Sequence, residues 1–260
     1  MNLNNATVLI TGAAGGFGQE YIRQCLAKGS HLLLTDLDAA RLEAIASTIH
    51  QEVGRGSIRQ CVAADLATPE GCQQLVDAIA ETPDVLINNA GLGSYGHFHE
   101  TPADFWELLI QINLLAPMRL THLLLPDMIA RGGGHIVNMS SVSGWIGTLG
   151  MVPYSTSKYG LRGFGEALSE DMAQHNIRVT NVYPFYSRTP MIGAPRHGSL
   201  PEPNLSDDLV TDPAEVIRQA VAGIEADVLH LFPDRYARTL SLIKRYIPRI
   251  LPRLFKRLES

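Results

Sequence analysis

The feature that most constrains this chain is a regular alternation of short, almost wholly apolar runs with helical patterns. Thr7–Thr11, His31–Thr35, Ser57–Ala63, Val85–Ile87, His135–Met139, Arg178–Tyr183 and Val228–Phe232 read as strands. Between them Gly18–Lys28, Asp38–His50, Pro69–Ala80, Pro102–Ile129, Tyr154–Gln174 and Pro213–Ala226 read as helices, the fourth interrupted or kinked at Pro117. Strands that lack polar alternation are buried on both faces, which calls for a parallel sheet between two helical layers. Right-handed crossovers then wind the chain doubly, and the C-terminal strand ends open on one edge, where ligands bind. A chain of 260 residues, 45% hydrophobic and 18% charged, has enough apolar material for one such α/β domain.

The first strand runs directly into Gly12-Ala13-Ala14-Gly15-Gly16-Phe17-Gly18, and a helix follows. Gly12 permits a tight turn, Gly16 lets a diphosphate approach the backbone, and Gly18 allows close packing of helix on sheet. Free N–H groups at the helix N-terminus then face the phosphates. This order of elements predicts a Rossmann-like dinucleotide site with Gly12, Gly16, Phe17 and Gly18 lining it. Asp36 closes the second strand, eighteen residues after Gly18. A carboxylate there accepts the ribose hydroxyls of NAD and repels the extra phosphate of NADP. No Arg or Lys stands in the glycine loop or directly after Asp36 to offset that repulsion, so NAD is expected ahead of NADP.

Tyr154 and Lys158 are four residues apart on one helix and share a face. A Tyr-x-x-x-Lys pair alone is unremarkable on an amphipathic helix. Here Ser141 ends the preceding strand segment thirteen residues earlier, and Asn113 lies inside the long helix before that. Together with the glycine loop, Asp65-Leu66 and Asn88-Asn89-Ala90-Gly91, these residues resemble the short-chain dehydrogenase/reductase family in order and spacing.

The resemblance covers residues 7–191 and implies an oxidoreductase with Asn113, Ser141, Tyr154 and Lys158 as its catalytic set. It implies that Asp65 and Leu66 border the adenine, that Asn89, Ala90 and Gly91 border the cofactor, and that Thr189 holds the nicotinamide carboxamide. Tyr154 and Lys158 would contact the cofactor as well. Tyr154 would transfer the proton, Lys158 would lower its pKa and bind ribose, Ser141 would bind the substrate oxygen, and Asn113 would hold a relay water. Ser140 is set aside because the interval to Tyr154 points to Ser141. The family places Pro-Gly after its sixth strand, whereas this chain has Pro184-Phe185, and Phe185 is expected to narrow the nicotinamide pocket.

Residues 184–211 form a proline-rich stretch that the resemblance assigns to a substrate lid. Trp145, Leu149 and Met151, with Tyr95, Phe185 and Tyr186, suggest an apolar wall and a lipophilic alcohol or ketone as substrate, with core or oligomer contacts as the alternative for many of them. His97 and His99 lack further ligands at metal spacing, so they read as substrate-side loop residues. Residues 1–232 are expected to form the catalytic domain, and 233–260 a helical tail. That tail holds eight Arg/Lys against two acids, with Tyr236, Leu240, Ile243, Ile247, Ile250, Leu254 and Leu258 on one face, broken by Pro248 and Pro252. It reads as a helix pair packed on the acidic body or a partner subunit, with contact to a membrane surface as the alternative.

The net charge of −5 gives no reason to expect nucleic acid. Cys25, Cys61 and Cys72 show no metal or CxxC spacing and suit a reducing compartment, and no apolar run reaches the roughly 18 residues of a membrane span. A cytoplasmic homodimer or homotetramer is the expectation. A non-catalytic nucleotide sensor or scaffold on the same fold, or a peripheral membrane enzyme acting on lipids, are the competing readings.

Overall fold

The computed structural model describes residues 1–201 and 206–250. The chain runs β1 (Thr7–Thr11), α1 (Gly16–Lys28), β2 (His31–Asp36), α2 (Ala39–Val53), β3 (Ser57–Ala63), α3 (Pro69–Ala78) and β4 (Val85–Asn88). After β5 (Tyr95–Gly96) come α4 (Ala103–Ile110), α5 (Ala116–Arg131), β6 (Gly134–Met139), α6 (Val152–Met172) and β7 (Ile177–Val182). The last elements are β8 (Arg196–His197), α7 (Pro213–Glu225), β9 (His230–Leu231) and α8 (Arg235–Tyr246).

Seven strands form one sheet in the order β3-β2-β1-β4-β6-β7-β9, and every pairing in it is parallel. Side-chain alternation divides the apolar runs between two cores. Val8, Ile10, Leu32 and Leu34 pack under α1, α2 and α7, whereas Leu9, Leu33, Leu86 and Ile136 pack under α3, α5 and α6. The chain winds outward from β1 to β3, then returns and winds the other way from β4. The crevice where strand order reverses therefore lies between β1 and β4.

Local chemistry sets the helix limits. Asp38, Thr68, Asp212 and Asp234 each accept a backbone N–H in the first turn of α2, α3, α7 and α8. Gly29 and Gly54 close α1 and α2 in the left-handed conformation.

Three sequence expectations are refined. The long helix is interrupted close to Pro117, which sits in the first turn of α5. The irregularity is a π turn over Gln111–Leu115, which carries Asn113 inward. The run Ala103–Arg131 is 29 residues long and apolar enough by composition to cross a membrane, yet Leu109, Leu120, Leu124 and Met128 are fully packed inside the protein. The final strand is only His230–Leu231.

A polar ladder unforeseen in the sequence crosses the sheet. Asn88 Nδ2 donates to Asn138 Oδ1 at 3.0 Å, and Asn138 Nδ2 donates to Asn181 Oδ1 at 3.1 Å. The parallel register sets these three residues side by side, each in the sheet's interior. A buried amide chain of this kind fixes register, because a one-residue slip would strand each polar group. Gly165 of α6 leaves the room, since a Cβ there would run into the Asn181 amide. Gly165→Ala is expected to destabilise the fold by about 1–3 kcal/mol through overpacking. Denaturant unfolding measures this, and an unchanged midpoint would contradict the ladder's close fit.

Candidate active site

The glycine turn follows β1 because Gly12 adopts φ +61° and lies against Ala90, where a Cβ would come within 2.7 Å of the Ala90 Cα. A Cβ at Gly18 would come within 2.7 Å of the Ala13 Cα, so α1 can sit on the turn only with glycine there. Helix α1 starts from Gly15 with no side-chain cap and no acid in its first turn. Its leading N–H groups thus lack an internal anion, which suits them to a diphosphate.

The two sides of the crevice are bound directly to each other. Thr11 Oγ1 accepts the N–H of Asn89 and of Ala90, both at 3.0 Å. The Asn89 side-chain amide donates to the carbonyls of Thr11 and Gly12 at 2.9 and 3.0 Å. Asn89 and Ala90 therefore border the glycine turn, while Gly91 lies beside Asn113 and Lys158.

Asp36 ends β2 beside this turn. One carboxylate oxygen accepts the Ala14 N–H at 2.9 Å and the other accepts the Leu37 N–H, also at 2.9 Å. The carboxylate is thus oriented before any ligand arrives. Asp65 is exposed and accepts the Ala67 N–H at 3.0 Å, while Leu66 is buried in the second core. On the other rim, Thr189 lies against Gly16, where a Cβ would sit 2.9 Å from the threonine Cβ. Gly16 thus lets the glycine turn and the lid segment approach each other, leaving Thr189 over the turn.

Tyr154, Lys158 and Asn113 are buried, and Ser141 is half-buried. Lys158 Nζ donates to the Met139 carbonyl at 2.8 Å and lies 5.6 Å from the centre of the Tyr154 ring. Ser140 Oγ donates to the Lys158 carbonyl at 3.0 Å, which makes it a support for α6 and not a reacting group. Asn113 Oδ1 accepts the Leu92 N–H at 2.7 Å, and its Nδ2 donates to the Leu92 carbonyl and to Ser157 Oγ. The π turn thereby clamps the loop after Gly91. The Asn113 amide nitrogen is fully committed, leaving one lone pair on Oδ1 for any further partner.

Burial dominates the electrostatics. It pushes the Tyr154 phenol up to about 12, with a hydrogen bond from Ser141 pulling partway back. The Lys158 amine is pushed down to about 8 by the same desolvation.

The lid segment is tied down at several points. Strands β5 and β8 pair in parallel as a separate two-stranded sheet, and Ser199 donates to the Glu100 carboxylate through both N–H and hydroxyl. At its root the Arg188 N–H meets the Thr211 carbonyl and the Thr211 N–H meets the Tyr186 carbonyl. A 3₁₀ turn, Pro190–Gly193, places Met191 Sδ 4.0 Å from the Tyr154 hydroxyl. Tyr186 and Ser143 in turn approach the Met151 sulfur at 3.9 and 3.8 Å. The wall facing Tyr154 is therefore built from thioethers and a phenol.

Other proposed wall residues lie elsewhere. Trp145 packs edge-on against Tyr183, His230 and Phe232, with the Arg162 guanidinium 3.6 Å over its ring. The Phe185 N–H donates to Asp234, and its ring lies tilted to Tyr236 at 5.5 Å and edge-on to Tyr186 at 4.9 Å, so it joins α8 to the lid root. His97 and His99 stack on each other at 5.5 Å, and no cluster of metal-binding side chains occurs among the described residues. Residues 202–205 of the lid and 251–260 of the tail, with Leu254 and Leu258, lie outside the described residues.

A parallel doubly wound sheet, a glycine turn on α1 and a Ser–Tyr–Lys cluster across the crevice define a nicotinamide-dependent oxidoreductase. The family profile for short chain dehydrogenase matches residues 6–199. A fatty acyl-CoA reductase of Acinetobacter baylyi is 34% identical over 193 residues, covering 74% of this chain and 65% of that protein. A short-chain dehydrogenase from Sphingobium yanoikuyae, solved with NADPH, is 29% identical, with a TM-score of 0.79 and 95% of each chain covered. A bulky-bulky ketone specific alcohol dehydrogenase from Comamonas testosteroni is 26% identical, with a TM-score of 0.77 over 96% of this chain and 94% of that one. The chain belongs to the short-chain dehydrogenase/reductase family, oxidoreductases acting on CH–OH groups.

Lys158 and Met191 yield two expected outcomes. The lysine's folded-state pKa, about 8, lies below its usual 10.5, so burial of the charge costs stability at neutral pH. That cost shrinks as pH rises from 8 toward 10.5, where the folded state gives up its proton first. Lys158→Met should therefore be more stable at pH 7, on the order of 1–3 kcal/mol, with the gap narrowing above pH 8. A variant less stable than the parent at pH 7 would contradict this. Met191→Ala should improve kcat/KM for branched over small ketones by roughly tenfold, since it removes a side chain lying against the phenol. An unchanged ratio would show that Met191 does not shape the pocket.

Proposed function

We propose that this chain transfers hydride between NAD and a lipophilic secondary alcohol or ketone, with Tyr154 as the proton-transfer group. The observation that carries this reading is the convergence of the Ser141 hydroxyl and the Lys158 amine on one buried phenol. Gly12, Gly16, Phe17 and Gly18 would cradle the diphosphate, Asp36 the adenosine ribose, and Asp65 and Leu66 the adenine. Thr189 would hold the carboxamide. When bound, the nicotinamide supplies or accepts the hydride and, in its oxidised form, adds a positive charge beside the phenol.

The protein's residues handle the proton and the oxygen. In the oxidative direction Tyr154, as phenolate, takes the hydroxyl proton while the substrate C–H bond gives its electron pair to the cofactor. In reduction the phenol returns that proton to the carbonyl oxygen. A buried phenol near 12 is a weak base at neutral pH, so phenolate needs cationic company. Lys158, beside the Tyr154 ring, provides it together with the oxidised ring. Ser141 donates to the substrate oxygen and orients it. Asn113 acts by holding the Leu92 backbone and, through it, the loop that follows Gly91; its free Oδ1 lone pair is the place for a water relaying protons from Lys158.

NAD is favoured because Asp36 is already fixed on the turn, with no cation in the glycine loop or directly after it. The relative solved with NADPH makes this preference worth measuring directly. A lipophilic substrate is favoured by the Met151, Met191 and Tyr186 wall and by the names of the relatives acting on fatty acyl and bulky ketone compounds. A homodimer or homotetramer is supported by Leu108, Met118, Val152 and Tyr159, all exposed on the α4–α6 side. A recess of about 500 Å³ lined by Gly147, Thr148, Val152, Ser155, Thr156 and Tyr159 lies on the same surface. Three free cysteines fit a reducing, cytoplasmic setting.

Tyr154→Phe is expected to retain NADH binding while kcat falls about 10²–10⁴-fold. Fluorescence titration and single-turnover kinetics separate the two, and a variant keeping most of its rate would overturn the role of Tyr154. Asp36→Ala should raise kcat/KM for NADP relative to NAD by at least about tenfold. Equal discrimination in parent and variant would refute the cofactor assignment.

A further inference from the structure

Helix α8 has two different faces. Ala237 and Leu240, with Ile243 beside them, are turned into the protein against Val142, Ile146, Phe185 and Phe232. That packing accounts for the inward apolar stripe. It does not account for Leu242, Tyr246 and Ile247, which are 55%, 68% and 53% exposed. Leu242 and Tyr246 are four residues apart and share the outward side.

The charge on this helix is one-sided. Arg235–Tyr246 contains Arg235, Arg238, Lys244 and Arg245 and no acid, and Arg249 follows in the next turn. Arg238 is used internally, donating to the carbonyls of Pro233 and Asp234. Lys244, Arg245 and Arg249 have no carboxylate partner among the described residues, and Arg245 lies over the Tyr246 ring. Asp207 and Asp208 stand near the opposite, N-terminal end, where the Tyr236 hydroxyl donates to the Asp208 carbonyl. The cationic and apolar side chains are therefore concentrated in the C-terminal half of α8.

We propose that this outer end of α8 is a docking surface for an anionic lipid bilayer. The proposal is independent of the hydride-transfer reading. Leu242 and Tyr246 bordered by Arg245 and Arg249, with Lys244 on the opposite side of the helix, match both layers of a lipid interface: the headgroup phosphates and the acyl boundary beneath them. An acidic protein surface would satisfy the cations and leave Leu242 and Tyr246 in contact with carboxylates. The inner edge of the same helix borders an apolar groove of about 430 Å³ between Phe185, Leu209, Tyr236 and Ile243. A helix seated in the interface places that groove beside acyl chains. The rest of the protein is acidic, but its repulsion is screened beyond a Debye length of about 8 Å at physiological salt.

The test is co-sedimentation of the full chain with phosphatidylcholine vesicles containing or lacking phosphatidylglycerol. Binding is expected only to the phosphatidylglycerol vesicles and should weaken as salt is raised. Arg245→Ser combined with Arg249→Ser should lower the partition coefficient on the order of thirtyfold, since each cation near the surface contributes about fivefold. Leu242→Ser combined with Tyr246→Ser should also abolish sedimentation, with thermal unfolding and turnover of a soluble substrate unchanged in both double variants. Equal binding to the two vesicle types, or retained binding by both double variants, would overturn the proposal. So would an absence of vesicle binding together with dissociation of an oligomer in the Leu242/Tyr246 variant, which would assign the patch to a second copy of the chain.

Discussion

The site depends on one set of hydrogen bonds across the seam between β1 and β4. Two parallel strands whose connections leave in opposite directions open a crevice at their C-terminal ends. Left to itself, such a crevice has two independent lips. Here Thr11 Oγ1 accepts from two successive amides of the β4 extension, while the Asn89 amide returns two bonds to the carbonyls of Thr11 and Gly12. The glycine turn and the loop leading to Asn113 are thereby set as one rigid piece. Because Asn113 then clamps Leu92, the cofactor side and the catalytic side share a single reference frame.

Stability is lower at this site for a reason visible in its chemistry. A lysine amine and a phenol are held out of water, each pushed toward its neutral form. The protein offsets part of that cost with the Met139 carbonyl on Lys158 and the Ser141 hydroxyl on Tyr154. What remains is a pair whose protonation states respond strongly to any charge brought between them. Such sensitivity suits the proton transfer proposed for this pair.

Much of this was legible in the chain. Apolar runs without alternation gave every strand of the main sheet, and the glycine spacing located the turn because only glycine tolerates the contacts at Gly12 and Gly18. Ser141, Tyr154, Lys158 and Asn113 come together because strand ends and helix periodicity position them. What was not legible depended on tertiary partners. A π turn has no composition signal, so an interruption near Pro117 was legible but its form around Asn113 was not. The two-residue strands β5 and β8 are too short to show periodicity and exist only because the lid folds back. The contact of Phe185 with α8 and the Asn88–Asn138–Asn181 ladder could be seen only once tertiary partners and strand register were known. Asparagine recurring near the end of three buried strands was the available signal.

The lid completes the account. Thr189 lies on the glycine turn and Met191 against the phenol, so one short segment touches both the cofactor cradle and the reacting group. The most direct measurement is label transfer from NADH deuterated at the nicotinamide C4 to a ketone product. Deuterium is expected on the carbinol carbon, with a primary isotope effect in single turnover, and the rate of that transfer, not its isotope effect, should collapse when Tyr154 can no longer give up a proton. Product free of deuterium, or no product from any ketone while the cofactor stays bound, would contradict it.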